Sequence, residues 1–177
     1  MSINSKFQNH LHNLFVTGGD GDNDIITALD AHGWGLAWFE QVKETGRITF
    51  QKHVIMGNRD EETKYGAAFS QLHALAVSDL DGDGLPDIVT GKRMWAHGPK
   101  GDIEPSAPPA LYWFRLVREK GQAHFEPHLI DNHSGVGVQV SVADVNKDGR
   151  PDILTVSKLG AFVFFNNPSP KSPASAH

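Results

Sequence analysis

The sequence predicts an all-β chain made of repeated four-stranded antiparallel units. An acidic loop occurs twice, at residues 79–87 and 144–152, and each copy lies between runs rich in Val and Ile that are typical of strands. The equivalent residues Asp24, Asp87 and Asp152 are separated by 63 and 65 residues. A regular spacing of this size marks a repeat architecture.

Each unit is expected to contain strands A, B, C and D, with the acidic loop between A and B. Residues 35–40, Gly-Leu-Ala-Trp-Phe-Glu, match residues 110–115 and, more loosely, residues 160–165 as C strands. Residues 50–55 and 125–130 share a Phe-x-x-His-aliphatic pattern and are expected as D strands. Between units, only one short helical turn is expected.

The unit boundaries follow from these repeats. A separate D strand is expected at about residues 6–12, and the Pro- and Ser-rich end of the chain is expected to be disordered because proline interrupts a sheet. The last unit has no D strand of its own, so the amino-terminal strand would complete it. The predicted units are residues 13–56, 72–131 and 137–167, followed by the tail 168–177.

The first acidic loop has the composition of a calcium site. Oxygen atoms at loop positions one, three and five converge when the backbone coils, and glycine at position six permits the sharp turn. An EF-hand would also need a Glu at position twelve, where this chain has Thr90. A metal-free turn rich in aspartate is the alternative. The expected ligands are the side chains of Asp79, Asp81, Asp83 and Asp87 and the carbonyl of Leu85.

The second loop repeats the pattern with one amide in place of a carboxylate. Hard oxygen ligands of this kind favour calcium over magnesium, which demands a tighter octahedral geometry. Two calcium ions per chain are therefore expected. The second set of ligands is Asp144, Asn146, Asp148, Asp152 and the carbonyl of Arg150.

A third, degenerate loop precedes Asp24. Aligning Asp24 with the last acid of the other loops places Asp20 at position five and Gly21 at position six, but positions one and three then carry no oxygen ligand. The competing frame uses Asp20, Asp22 and Asp24 as positions one, three and five, and it has Ile25 where the turn needs glycine. A third calcium site made of Asp20, Asp22 and Asp24 stays an open alternative.

These loops resemble the FG-GAP, or VCBS, repeats of integrin-type β-propellers, and the resemblance covers most of residues 1–167. It implies about three propeller blades per chain. Propellers usually have four to eight blades, so three blades alone would leave sheet edges exposed. Two arrangements are expected: a head-to-tail homodimer that closes a six-bladed ring, or a part of a longer propeller.

The B–C loops and D–A segments are expected at the end of the blades opposite the acidic loops, because adjacent strands run antiparallel. Indole rings with polar neighbours suit a carbohydrate or a protein ligand. A binding or scaffold module is therefore the favoured function. The candidate ligand-binding residues on this face are Trp34, Lys92, Trp95 and Lys158.

The same face is rich in histidine, which suggests an alternative enzymatic function. Imidazoles act as general bases or bind transition metals, and a cation stabilises an enolate-like charge. The run from His73 to Gly84 has a faint similarity to the propeller part of aldos-2-ulose dehydratases, and it implies a sugar-modifying dehydratase or lyase. The candidate catalytic residues are His32, His73, His97 and Arg93.

The composition of the chain argues against two classes of partner, nucleic acids and the membrane interior. The net charge of −5 argues against a nucleic-acid surface. No apolar run approaches the roughly 20 residues of a membrane span, and the first 15 residues lack a signal-peptide core. The chain has no cysteine, which is compatible with an extracellular or periplasmic setting.

Overall fold

The computed structural model describes residues 14–17 and 23–167, with only the backbone of residues 14–17. These residues form three antiparallel sheets, so the predicted all-β class is confirmed. In the first sheet, β1 (Leu14–Thr17), β2 (Asn23–Ala28), β3 (Leu36–Glu44) and β4 (Arg47–Met56) lie side by side in sequence order.

The second sheet repeats this arrangement. It consists of β5 (Leu75–Ser78), β6 (Asp87–Lys92), β7 (Ala110–Glu119) and β8 (Gln122–Asp131), again in sequence order. Strand β6 is buried along its whole length, because this central sheet packs against a neighbour on each face.

The third sheet has three strands in the described part of the chain. They are β9 (Val140–Ala143), β10 (Asp152–Ser157) and β11 (Gly160–Phe164). The expected order A to D is thus seen in two sheets, and A to C in the third. The separate D strand predicted at residues 6–12 and the tail 168–177 lie outside the described residues.

A short helical turn joins the first two sheets, as expected. A 3-10 turn, Arg59–Glu61, leads into α1 (Glu62–Tyr65). Asn58 caps it with its side chain and Glu61 closes a capping box, while Gly66 ends it at φ +76°. Among the described residues no helix has the length and apolarity needed to cross a membrane.

The hydrophobic core consists of two layers between successive sheets. The first layer contains Ile26 and Leu36 from the first sheet and Ile88 and Phe114 from the second, with Phe69 from the linking segment. Each such side chain contributes about 1.5–3 kcal/mol when it is fully buried.

The second layer lies between the second and third sheets. Val89 and Leu111 of the second sheet pack with Val140 and Ile153 of the third. Ile88 and Val89 are neighbours in β6, yet they enter different layers, because successive side chains of a strand point to opposite faces. Strand β5 contacts both β1 and β9, so the A strands of the three sheets are neighbours. The described residues do not form a closed ring.

The C and D strands carry a repeated cross-strand pair. Trp38 stacks on His53 with ring centroids 4.6 Å apart, and Trp113 stacks on His128 at 4.8 Å. In each sheet the two residues are directly paired in register. The repeated histidines therefore stabilise the sheets by stacking on indole rings.

The C–D hairpins turn through two residues with positive φ. In the first sheet these are Thr45 (φ +47°) and Gly46 (φ +80°), and in the second they are Lys120 (φ +51°) and Gly121 (φ +81°). Two positive φ values match the right-handed twist of the flanking strands. Glycine adopts them freely, whereas β-branched Thr45 is strained there.

Candidate functional site

The last acid of each loop is buried and braces the loop against the C strand. In the first loop the Leu80 and Leu116 N–H groups donate to the two carboxylate oxygens of Asp87, at 3.0 and 2.9 Å. Burial raises the pKa of Asp87 in spite of these two hydrogen bonds. Asp87 thus ties loop position two to β7.

The third sheet uses the same brace, and the first sheet shows the half of it that contacts the C strand. The Val145 and Asn166 N–H groups donate to Asp152 at 3.1 and 2.9 Å. Asp24 accepts from the Gln41 N–H at 2.8 Å. Asp24, Asp87 and Asp152 are all fully buried, so this position has a structural role in every sheet whether or not it also binds a metal. Asp20 and Asp22 lie outside the described residues.

The first acid of the first loop organises its backbone. The Gly82 and Asp83 N–H groups donate to one oxygen of Asp79 at 2.8 and 3.1 Å, and the Gly84 N–H donates to the other at 2.9 Å. Gly82 and Gly84 have φ of +79° and +85°. The coil expected from glycine at position six is therefore present, and position four has a positive φ as well.

The second loop has the same frame. Asp144 accepts from the Asp148 N–H at 3.1 Å and from the Gly149 N–H at 2.9 Å. Lys147 and Gly149 have φ of +62° and +87°, matching the first loop. The two loops thus share one conformation, although a positive φ is sterically unfavourable for Lys147 and not for glycine.

An arginine lies against the acids of each loop. The Arg115 guanidinium donates to Asp81 at 2.5 Å and to Asp83 at 3.0 Å. In the second loop the Arg150 guanidinium donates to Asp148 at 2.6 Å. Sequence reasoning considered only the carbonyl of Arg150 and did not identify Arg115, which comes from β7. In each loop an arginine thus offsets part of the negative charge of the carboxylates.

The ligand atoms of the first loop are of the type that calcium prefers. One carboxylate oxygen each from Asp79, Asp81 and Asp87 lie within 4.8 Å of one another. All the donors are oxygen atoms, which suits calcium. The Leu85 N–H donates to Asp83 at 2.9 Å, and this holds the chain around the loop.

At the opposite end of the strands, two histidines converge on one carboxylate. Nδ1 of His32 lies 3.1 Å from Oδ1 of Asp102, and Nδ1 of His97 lies 2.9 Å from the same oxygen. The Asp102 side chain is only 2% exposed. Burial acts to raise its pKa, but the hydrogen bonds from His97 and His32 outweigh burial and leave the pKa below its ordinary value.

The three candidate catalytic histidines form one cluster. The His32 ring lies 4.5 Å from both the His73 ring and the His97 ring, measured between centroids. His73 is buried and lines a small cavity of about 10 Å³, about the room of one water molecule. The structure thus brings together histidines that the sequence places up to 65 residues apart.

The long loop from β6 to β7 builds this cluster by folding back onto the first sheet's linker. The carbonyl of Ile103 accepts from Ser70 Oγ at 2.8 Å and from Gln71 Nε2 at 3.0 Å. Glu104 pairs with Arg59 at 2.8 Å. These contacts anchor the two residues that directly follow Asp102. The sequence analysis placed the B–C loops on this face but did not identify Asp102, although the length of this loop was a signal, since long loops in compact folds are often functional.

The candidate cations of this face lie deeper than expected. Lys92 is 1% exposed, and its ammonium donates to Ser70 at 3.3 Å. Burial lowers the pKa of Lys92. Arg93 is half-buried, and burial lowers its pKa while the nearby charge of Asp102 acts to raise it. Neither side chain is a freely exposed surface cation.

The candidate aromatic residues occupy the rim of the face. Trp95 is 41% exposed, and its carbonyl accepts a hydrogen bond from the ammonium of Lys158 in the third sheet. Trp34 is half-buried, with the Arg59 guanidinium 5.4 Å from its ring centroid. Trp95 is thus an exposed residue two positions before His97, whereas Trp34 is partly covered.

Comparison with known proteins identifies one family. The FG-GAP repeat model matches residues 72–102, which include β5, the first acidic loop, β6 and the β6–β7 loop as far as Asp102. No curated protein and no solved structure match the chain. The similarity to aldos-2-ulose dehydratases therefore finds no support. Residues 72–102 therefore match an FG-GAP repeat, and they belong to the second of the three sheets that the described residues form.

Proposed function

We propose that the chain is a calcium-stabilised, propeller-type binding module. The observation that carries this proposal is the shared frame of the two acidic loops, in which Asp79 and Asp144 hold the same backbone coil. A loop conformation that recurs together with its acids supports a common ligand. Calcium fits because it takes six to eight oxygen ligands in flexible geometry.

Calcium would compete with an arginine at the first loop. Arg115 neutralises part of the charge of Asp81 and Asp83 from a partly exposed position, where an ion pair contributes little to stability. A divalent ion bound by several carboxylates at once offsets more repulsion than one guanidinium does. We infer that the Arg115 side chain moves aside when calcium binds.

Thermal unfolding in calcium and in a chelator tests this proposal. Calcium at 100 times its dissociation constant stabilises the folded state by about 2.7 kcal/mol per site. For a chain of 177 residues, this corresponds to a rise in Tm of about 5–11 °C per site. Magnesium is expected to give a much smaller rise because it requires near-ideal octahedral geometry.

Two matched variants assign the shift to the loops. Asp81→Ala and Asp148→Ala each remove one acid from one loop, and each is expected to lose that loop's share of the Tm rise while keeping the other. Both variants are compared with the unmodified chain in chelator, which reports any effect on folding itself. A calcium shift of unchanged size in both variants would refute the assignment.

The binding face is proposed at the opposite end of the strands. Trp95 and His97 are exposed there, and an open indole beside polar groups suits a carbohydrate ring or a protein side chain. A glycan array probed with the chain in calcium, with Trp95→Ala as the matched control, tests the carbohydrate. Signals that persist in Trp95→Ala would show that this face is not used. An extracellular setting accompanies the proposal, since FG-GAP repeats are typically extracellular.

Self-association is proposed because the third sheet ends with an exposed apolar surface. Val156, Val163 and Phe165 are 63%, 47% and 54% exposed, and β11 pairs only with β10 within the described residues. A second copy, arranged head to tail, would cover this surface and close a six-bladed ring. Light scattering after size exclusion tests it: a mass twice 19.4 kDa supports the ring, and a stable monomer in calcium contradicts it.

A further inference from the structure

We propose that His32, His97 and Asp102 bind one divalent transition metal ion, of the zinc class, between the loops at the end of the strands opposite the acidic loops. The site is distinct from the calcium loops in both location and donor chemistry. It joins the first sheet to the second, because His32 belongs to the β2–β3 loop and the other two ligands belong to the β6–β7 loop.

The spacing of the three donor atoms supports the ion. The two Nδ1 atoms lie 3.1 and 2.9 Å from the shared oxygen of Asp102, and all three donors lie within 4.8 Å of one another. Zinc bonds of about 2.0–2.2 Å to nitrogen and oxygen place tetrahedral ligand atoms about 3.3 Å apart. The two nitrogen–oxygen distances therefore need to lengthen by only a few tenths of an ångström to admit the ion.

The chemistry of the donors selects the metal. Two imidazole nitrogens and one carboxylate oxygen are the ligand types of zinc sites, whereas calcium takes oxygen ligands. Three protein ligands leave the fourth tetrahedral position open to water or to a small ligand, as in catalytic zinc sites. The His32 and His97 side chains are 40% and 57% exposed, so an ion and a fourth ligand can reach them.

The ligands are also held from behind. The second oxygen of Asp102 accepts from the His97 backbone N–H at 3.0 Å. The His32 backbone N–H donates to Asp30, also at 3.0 Å. A hydrogen bond to the second oxygen of a ligating carboxylate, as at Asp102, commonly accompanies metal sites, whereas the bond to Asp30 holds the backbone at His32. The loop carrying Asp102 is itself anchored to Ser70 and Gln71 through Ile103, so the cluster is built into the fold.

Zinc titration of the metal-free chain tests the proposal. The chain is produced without a polyhistidine tag, stripped with chelator and titrated with zinc chloride by calorimetry, with cobalt(II) as a spectroscopic probe. We expect one tight zinc site per chain and the visible absorption of four-coordinate cobalt. His97→Ala is expected to weaken zinc binding at least 10-fold, and the double variant His32→Ala/His97→Ala to abolish the cobalt spectrum.

Three controls make the outcome decisive. His133→Ala removes a histidine that is 86% exposed outside the cluster, and it should leave zinc binding unchanged. Asp81→Ala/Asp148→Ala should also leave it unchanged, which separates this site from the calcium loops. Circular dichroism confirms that each variant is folded. Absence of tight zinc binding, or equal affinity in the His32→Ala/His97→Ala variant, would overturn the proposal and leave the cluster as hydrogen bonds alone.

Discussion

Removing the buried acid of the first loop should strongly destabilise the chain, even without metal. Asp87 is fully buried and accepts one hydrogen bond from each of two backbone N–H groups, those of Leu80 and Leu116. Asp87→Ala deletes both acceptors at once. The loop then loses its connection to β7, and two buried donors lose their partner.

The size of the effect follows from these two donors. A buried donor left without an acceptor costs about 1–3 kcal/mol, so Asp87→Ala should lower the free energy of unfolding by about 2–6 kcal/mol. Asp87→Asn keeps one oxygen and should cost about half as much. Since a domain's stability is typically about 5–15 kcal/mol, the alanine variant loses a large fraction of it.

Urea unfolding followed by tryptophan fluorescence, in excess chelator, measures this loss without any metal contribution. Asp81→Ala is the matched control, because its partly exposed ion pair with Arg115 should contribute little to stability. Asp152→Ala should repeat the large effect in the third sheet. A loss below about 1 kcal/mol for Asp87→Ala, similar to that of Asp81→Ala, would refute the bracing role.

Three further substitutions have defined outcomes. Burial lowers the pKa of Lys92 below 10.5. Between the folded pKa and 10.5 the unfolded chain therefore binds more protons than the folded chain, and the free energy of unfolding should rise with pH. Lys92→Met should flatten this rise, measured by urea unfolding at several pH values, and an unchanged rise would contradict the burial of a charged Lys92. Thr45→Asn should stabilise the folded chain by about 1 kcal/mol, because Asn tolerates the positive φ that strains Thr45. Its urea midpoint should rise more than that of Lys120→Asn, and equal midpoints for the two variants would count against strain at Thr45. Arg115→Gln should raise calcium affinity in calorimetry by removing a competing charge, and a weaker affinity would show that Arg115 supports the site.

The strands and loops were predictable because their signals are local. The acidic loops recur with glycine at a fixed place, and the alternating runs on both sides have the period of a strand. The positive φ of Gly84 and Gly149 was predictable from the residue type, because glycine adopts positive φ without strain. The additional positive φ at Lys147 was not predictable, because lysine has no preference for positive φ.

The contacts between distant segments were not predictable. Asp102 meets His32 across 70 residues of sequence, and nothing near Asp102 indicates that its loop folds back onto the first sheet. Arg115 reaches Asp81 from a C strand, and Lys92 is buried by the linker that follows α1. These placements depend on how the sheets pack, which local patterns do not encode.

The role of the last acid of each loop was only partly predictable. Its position in the repeat indicates a metal ligand, and the same residue also accepts backbone hydrogen bonds inside the sheet. Asp24 keeps the hydrogen bond from the C strand although the loop before it lacks two of the expected ligands. The brace therefore explains why the acid is present in all three sheets.

Calorimetric titration of the chelator-treated chain with calcium tests the central claim most directly. The account predicts two calcium ions bound per chain, one in each acidic loop, with Asp81→Ala and Asp148→Ala each losing one and the double variant losing both. Absence of calcium binding, or binding that persists undiminished in the double variant, would contradict it.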